Sequence, residues 1–202
     1  MRGPADEDRP VRHPPVVVRP VTTADIDRIV ALYAEVADEG RWIGAEGPVD
    51  REDLRRRWAL RLEGGDGVHL VAETAGEPAA GGATGPGPVV VGEVSVDLAP
   101  YGVASLGMMV DRRWRRQGVG RALVQAAVDA ARSHGCHKVS LQVWPHNEAA
   151  RALYRRFGFE DEGVLRHHYR RGNGELWDAV VMGLVLDPRP VEPAPSGDGR
   201  AG

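Results

Sequence analysis

The chain has 202 residues, of which 42% are hydrophobic, and a formal net charge of -3. That length is enough for one domain with a sizeable core, and the slightly acidic balance argues against general binding to nucleic acid. Cys136 is the single cysteine, which excludes an intrachain disulfide and favours a reducing, cytoplasmic compartment. No apolar run approaches the roughly 18 residues of a membrane span, and the acids and prolines of residues 1–14 are not typical of a signal peptide.

Hydrophobic periodicity predicts about seven strands and four helices in one domain, residues 15–186. The ends, residues 1–14 and 187–202, are rich in Pro, Gly and charge without periodicity, which predicts disorder. Residues 75–88 are nearly all Ala, Gly and Pro, so a mobile hairpin loop is expected there. The predicted strands are 16–22, 67–74, 89–98, 102–110, 137–144, 159–170 and 176–186, and the predicted helices are 24–36, 50–62, 118–134 and 147–157.

The segment Leu106–Arg121, read as LGMMVDRRWRRQGVGR, joins an apolar strand to an amphipathic helix through a turn that contains two glycines. Backbone N–H groups at a helix N-terminus are unpaired and the helix dipole favours negative charge there, so this turn is suited to a phosphate. A dinucleotide fingerprint would need glycine where Leu123 stands, and no Gly-Lys-Ser/Thr occurs for a P-loop. The pattern that remains, at residues 115–120, is Arg/Gln-x-x-Gly-x-Gly/Ala.

A second motif follows the next predicted strand, where Asn147 and Tyr154 stand seven residues apart on a helix. Seven residues are almost two helical turns, so both side chains lie on one face, about 10 Å apart along the axis. With the glycine turn before it and a strand between them, this arrangement resembles the GNAT family of acyl-CoA N-acyltransferases. The resemblance covers residues 16–186.

The resemblance implies an α/β (α+β) fold with a mixed, mostly antiparallel sheet, in which the parallel strands before the glycine turn and before Asn147 splay apart. Acetyl-CoA would lie in that gap, with its pyrophosphate on the turn and its pantetheine along the strand backbone and Asn147. In the family, the position of Tyr154 lies near the CoA sulfur as a proton donor. The implied cofactor-binding residues are Met108, Met109, Val110, Arg115, Arg116, Gln117, Gly118, Val119, Gly120, Arg121, Asn147 and Tyr154, and no metal is expected.

The chemistry of acyl transfer makes two of these residues catalytic candidates. A neutral amine attacks the thioester carbonyl, so an N–H must stabilise the oxyanion and an acid must protonate the departing thiolate. The Val110 N–H and the Tyr154 hydroxyl are the candidates, with direct transfer in a ternary complex. Two structural interpretations stay open, in which Tyr154 is a core aromatic and Asn147 only a helix cap. Cys136, about 25 Å along the helix from the turn, is interpreted as a small buried thiol.

The general base is not assigned by the sequence. Some family members carry a Glu early in the strand before the glycine turn, where this chain has Ala104, and others carry one in the next strand, where it has Gln142. Neither residue can accept the proton. The side chains that could act through a water are Glu39, Glu93, Asp97, His146, His167 and His168.

The acceptor is predicted to be a small amine, an amino acid or a peptide or protein N-terminus, and a homodimer is left open. In the family the acceptor groove lies between the loop after the first helix and the turn joining the last two strands. These segments offer Asp38, Glu39, Trp42 and Glu46 on one side and His167, His168, Tyr169, Arg170 and Glu175 on the other. The alternatives are a non-catalytic acyl-CoA sensor of the same fold and an RNA-binding surface formed by Arg112–Arg116.

Overall fold

The computed structural model describes residues 15–65, 67–74 and 88–187. The termini predicted to be disordered and the predicted hairpin loop lie outside the described residues, apart from residues 88 and 187. The strands are β1 (Val16–Pro20), β2 (Gly67–Thr74), β3 (Val89–Leu98), β4 (Val103–Val110), β5 (Lys138–Val143), β6 (Glu160–Arg170) and β7 (Leu176–Val185). The α-helices are α1 (Ile26–Asp38), α2 (Arg51–Gly64), α3 (Val119–Ser133) and α4 (Glu148–Arg156).

The strands form a seven-stranded sheet in the order β1-β2-β3-β4-β5-β7-β6. All neighbouring pairs are antiparallel except β4 and β5, which confirms the predicted mixed sheet. The parallel pairing runs only from Val103 opposite Lys138 to Ser105 opposite Ser140. Beyond Ser105, β4 continues to Val110 without a partner in β5, so the two strands separate into a gap.

The two faces of the sheet have separate hydrophobic cores. The face covered by α3, called the α3 face, packs residues such as Leu123, Val139 and Met182, with Tyr154 of α4 among them. The opposite face, called the α1 face, packs Ile29 and other residues of α1 and α2 against β2, β3 and β4. Because side chains alternate along a strand, β4 contributes to both cores and therefore lies between two differently covered surfaces.

The start of α1 differs from the prediction. The predicted helix begins at residue 24, whereas in the structure a 3-10 turn at Thr23–Asp25, capped by Thr22, precedes α1. The Asp25 carboxylate accepts from the Thr22 N–H and hydroxyl, each at 2.8 Å, and from both terminal nitrogens of Arg19. This ion pair holds the pKa of Asp25 at about 2. The first strand consequently ends at Pro20, because the following residues are committed to the turn.

No helix among the described residues is long and apolar enough to cross a membrane. The same part of the chain contains no cluster of three or more His, Cys, Asp or Glu side chains arranged to hold a metal ion.

Candidate active site

A cavity of about 1180 Å³ occupies the gap between β4 and β5 and extends to both faces of the sheet. On the α3 face it follows the glycine turn and the helices α3 and α4. On the α1 face it reaches the loop between α1 and α2. The predicted site residues that line it are Met108, Met109, Val110, Arg115, Arg116, Gly118, Gly120, Arg121, Asn147 and Tyr154.

Two predicted cofactor-binding residues do not line the cavity. Val119 is 1% exposed and belongs to the core of the α3 face. The Gln117 side chain is turned back onto its own loop and donates to the Arg113 carbonyl at 2.7 Å. Only their backbones remain available to a ligand at the turn.

The Val110 peptide faces the gap. The Asp111 N–H donates to the Val91 carbonyl at 2.9 Å, and in an antiparallel pair successive residues point their peptide groups in opposite directions. Val110 therefore points its N–H and C=O away from β3, toward the region that β5 has left. Its carbonyl accepts from Arg115 Nε at 3.0 Å, which agrees with that direction. The Val110 N–H is thus free to donate into the gap.

The glycine turn has the conformation that the sequence pattern requires. Gly118, at the N-cap of α3, has φ 86°, a left-handed conformation that favours glycine. A Cβ on Gly120 would lie 3.2 Å from Leu153 Cδ2 and 3.7 Å from Met108 Cε, so a side chain there would crowd the wall of the cavity. Together with Arg116 and Arg121, which line the cavity beside the turn, this cradle fits a pyrophosphate.

Tyr154 is both a core residue and a residue of the cavity wall. Its side chain packs in the core of the α3 face with its ring 5.6 Å from that of Phe159, yet it also lines the cavity. Burial raises the pKa of the phenol to about 12, and no hydrogen bond to its hydroxyl is found among the described residues. The hydroxyl therefore stays protonated at neutral pH and free to donate.

Asn147 both caps a helix and lines the cavity. Its Oδ1 caps α4 by accepting from the Ala150 N–H at 3.2 Å. The same residue lines the cavity, so capping does not exclude a ligand contact. The cap fixes the direction of α4 and with it the position of Tyr154.

Arg115 is bound by protein groups rather than pointing freely into the turn. Its two terminal nitrogens donate to the Glu39 carboxylate at 2.8 and 2.6 Å, and Trp42 Nε1 donates to the same carboxylate at 2.6 Å. The Arg115 guanidinium holds the pKa of Glu39 below its usual range, so Glu39 is a poor proton acceptor. Arg113 is paired with Asp111, so this second arginine of the proposed RNA surface is also engaged by a carboxylate.

The structure also clarifies the position of the missing base. Ala104 is fully buried in the core of the α3 face, so a side chain there points away from the α1 face. Gln142 lines the cavity and accepts from the Tyr169 hydroxyl at 2.8 Å. Among the described residues, no Asp or Glu lines the cavity.

Of the other candidate bases, Glu93 is the most perturbed. It is 4% exposed in the α1 face, accepts from the Ser95 hydroxyl, and is kept from the cavity by β4. Burial raises the pKa of Glu93 to about 7. Asp97 is paired with Arg61, and His146 contacts the Arg41 carbonyl at 2.9 Å. His167 and His168 are exposed outside the cavity wall.

The α1 end of the cavity has mostly aromatic walls, which come from three distant segments. They are Trp42, Ile43 and Gly44 from the α1–α2 loop, Trp144 after β5, and Tyr169 and Ala179 from the final hairpin. The sequence analysis predicted Trp42 and Tyr169 here, whereas Asp38, Glu46, Arg170 and Glu175 do not line the cavity.

Sequence analysis missed Arg171, which is 3% exposed and holds the α1–α2 loop in place. It was assigned only to a turn, and arginine in a turn is ordinarily solvated, so no local pattern marks it. Its partners stand more than 120 residues away in the chain.

Residues 29–159 match the family described as the Acetyltransferase (GNAT) family. The chain is 28% identical over 176 residues to the L-methionine sulfoximine/L-methionine sulfone acetyltransferase of Pseudomonas aeruginosa, covering 85% of this chain and 95% of that protein. It is 28% identical over 176 residues to the L-amino acid N-acetyltransferase AaaT of Escherichia coli, covering 84% and 98%. The structure of yncA from Salmonella typhimurium with its cofactor acetyl-CoA matches with a TM-score of 0.72 at 22% identity, covering 89% of this chain and 99% of that one.

Proposed function

This chain belongs to the acetyltransferase (GNAT) family, and on that premise we propose that it transfers the acetyl group of acetyl-CoA to the α-amino group of a free L-amino acid or a close analogue. The relatives named for L-methionine sulfone and for L-amino acids, each aligned over most of both chains, support this substrate class. The cofactor site is supported by the cradle at Gly118 and Gly120 and by the arginines beside it.

The observation that carries the choice of acceptor is that no carboxylate among the described residues lines the α1 end of the cavity. The charged side chains of the cavity wall are arginines at its cofactor end, where Arg115 is paired with Glu39 and the others belong to the glycine turn, α3 and α4, namely Arg116, Arg121, Arg132 and Arg156. A polyamine would bring several positive charges into a cavity without a carboxylate, which is unfavourable. A zwitterionic amino acid brings a carboxylate that such a wall tolerates. The α1–α2 loop, which contributes Trp42, Ile43 and Gly44 to the wall of the α1 end, also favours a small acceptor over a long peptide.

The proposed roles of the residues follow from their positions. Acetyl-CoA supplies an activated thioester, and the chain binds it between the glycine turn and α4. The Val110 N–H stabilises the negative charge that develops on the carbonyl oxygen as the C–N bond forms. The Tyr154 hydroxyl protonates the sulfur as the C–S bond breaks, and the attacking nitrogen releases its proton to solvent water, from which the phenolate is reprotonated. Transfer is direct, since Cys136 lies outside the main cavity, beyond the C-terminus of α3.

The test is a thiol-release assay with saturating acetyl-CoA and four acceptors: L-methionine sulfone, L-methionine, spermidine and an alanine-initiated peptide. We expect the two amino acids to have kcat/KM at least about tenfold above spermidine and the peptide. Faster turnover of spermidine would disprove the proposed acceptor class. Tight binding of acetyl-CoA without thiol release on any acceptor would instead indicate the non-catalytic sensor. Cytoplasmic location and a homodimer stay predictions.

A further inference from the structure

Arg171 is a charged side chain buried at the rim of the acceptor end of the cavity. It stands where β6 gives way to the turn before β7 and is 3% exposed. Its carboxylate partner Glu46, at 3.3 Å, keeps a side chain 37% exposed, so the burial is one-sided. Removing a guanidinium from water costs several kcal/mol before its contacts compensate. The burial of the Arg171 guanidinium at a turn therefore needs a structural explanation.

The contacts of Arg171 converge on one loop. Nη1 donates to the carbonyls of Gly44 at 3.0 Å and Ile43 at 3.4 Å, while Nη2 donates to the carbonyl of Gly40 at 3.1 Å. These three carbonyls lie on either side of Trp42. The loop that carries Trp42, Ile43 and Gly44 is therefore held by one guanidinium through three of its backbone carbonyls.

The same guanidinium also contacts the aromatic wall. Its Cζ lies 4.4 Å from the ring centroid of Trp177 and 5.6 Å from that of Trp144, and Trp144 lines the cavity. Arg171 thus joins the α1–α2 loop to the wall that follows β5. A planar group with several divergent donors can do this, whereas the ammonium of lysine offers its donors from one point.

We propose that Arg171 is a positioning residue that sets the shape of the acceptor pocket by fixing the α1–α2 loop against Trp144 and Trp177. It touches neither substrate and acts through Trp42, Ile43 and Gly44. Because Trp42, Ile43 and Gly44 form part of the wall that holds the acceptor, a small displacement of these residues weakens acceptor binding without affecting the cofactor site. This inference rests on the proposed function for its kinetic test, but not for its structural test.

The Nε of Arg171 has no hydrogen-bond partner among the described residues, although it is buried. An orphaned buried donor lowers the stability of the folded protein. That cost is consistent with a residue retained for the geometry of the loop.

The experiment compares Arg171→Lys with Arg19→Lys, which removes another arginine that bridges distant groups, Asp25 and Glu73, away from the cavity. For Arg171→Lys we expect the KM for L-methionine sulfone to rise about tenfold, with kcat within about threefold and the Kd of acetyl-CoA unchanged. Hydrogen exchange of the residue 40–46 amides, above all that of Gly40, which donates to the Ala37 carbonyl at 2.9 Å, should accelerate in Arg171→Lys and not in Arg19→Lys. Arg19→Lys should lower Tm, while the KM for L-methionine sulfone and the hydrogen exchange of residues 40–46 should stay unchanged.

A milder variant, Glu46→Ala, tests the same proposal if Arg171→Lys does not fold. It removes the partly exposed carboxylate that pairs with Arg171 and accepts from the Gly172 N–H at 2.6 Å. We expect the same changes in smaller degree. Unchanged exchange of residues 40–46 in both variants would overturn the proposal. If the wild type acetylates no amino acid, the proposed function fails, and the exchange measurement still decides the role of Arg171.

Discussion

The two faces of the sheet are built in different ways. The α3 face is a continuous apolar core, and its part of the cavity is formed by backbone and by short motifs near each other in the chain, such as the turn at Gly118 and the helix from Asn147. The α1 face contains the buried polar pair Glu93 and Ser95, and its part of the cavity is assembled by long-range contacts of Arg171. Changes on the α3 face should therefore alter cofactor binding and chemistry, and changes on the α1 face should alter acceptor use or pH dependence.

The largest effect is expected for Tyr154→Phe on the α3 face. Loss of the acid should lower kcat by a factor of about 10² to 10⁴, while the Kd of acetyl-CoA changes little because the ring stays in place. Steady-state assays and calorimetry measure both quantities. Tyr101→Phe, at a tyrosine that is 74% exposed, is the control and should be silent. An unchanged kcat in Tyr154→Phe would leave that residue as a core aromatic only.

The next effect belongs to Glu93 on the α1 face. Its folded pKa of about 7 exceeds its ordinary value of 4.5, so the folded protein binds this proton more tightly than the unfolded chain. The resulting stability is present below the unfolded pKa and is lost as pH rises through about 7. In the wild type the free energy of unfolding in urea should fall by on the order of 3 kcal/mol between pH 5 and pH 8, and Glu93→Gln should remove this fall. The exposed Glu63→Gln is the control, and a parallel decline in both variants would contradict the assignment.

A smaller effect is expected when Ala replaces either of two glycines with left-handed φ, of which only one belongs to the glycine turn. Gly118 and Gly135 both have left-handed φ, 86° and 72°, and a Cβ on either would meet nothing within 4 Å. Replacing either by Ala should cost about 1–2 kcal/mol of stability. Only Gly118→Ala should also weaken acetyl-CoA binding, because only that glycine lies at the cavity. Equal Kd values by calorimetry would show that the turn conformation does not matter for the cofactor.

The smallest effect compares two helix caps. Asn147 caps α4 at the cavity, and Asp50 caps α2 by accepting from the N–H groups of Glu52 and Asp53. Ala at either position should cost about 1 kcal/mol in chemical unfolding. A rise in the Kd of acetyl-CoA is expected for Asn147→Ala and not for Asp50→Ala. If neither Kd changes, Asn147 serves as a cap alone.

The contrast between the faces explains what the sequence could predict. The strand before Gly118, the α3 helix and the Asn147 cap follow from local periodicity and turn chemistry, and all are present in the structure. The splayed sheet order came from the family resemblance rather than from any local pattern. Arg171 and the pairing of Arg115 with Glu39 depend on segments far apart in sequence, and charge alone does not indicate which partner an arginine finds. The 3-10 turn capped by Thr22 was not predicted, because Asp25 was assigned to the first turn of the helix.

The separation of β4 from β5 has a thermodynamic consequence. Past Ser105, β4 and β5 do not form the backbone hydrogen bonds with each other that a closed sheet would have. The free energy of unfolding therefore lacks the contribution of those bonds. A ligand whose amides lie along that edge restores such bonds only in the folded state. Folding and cofactor concentration are then linked, and acetyl-CoA at about 100 times its Kd should stabilise the protein by about 2.7 kcal/mol. The resistance of this protein to heat and proteolysis would therefore follow the supply of acetyl-CoA.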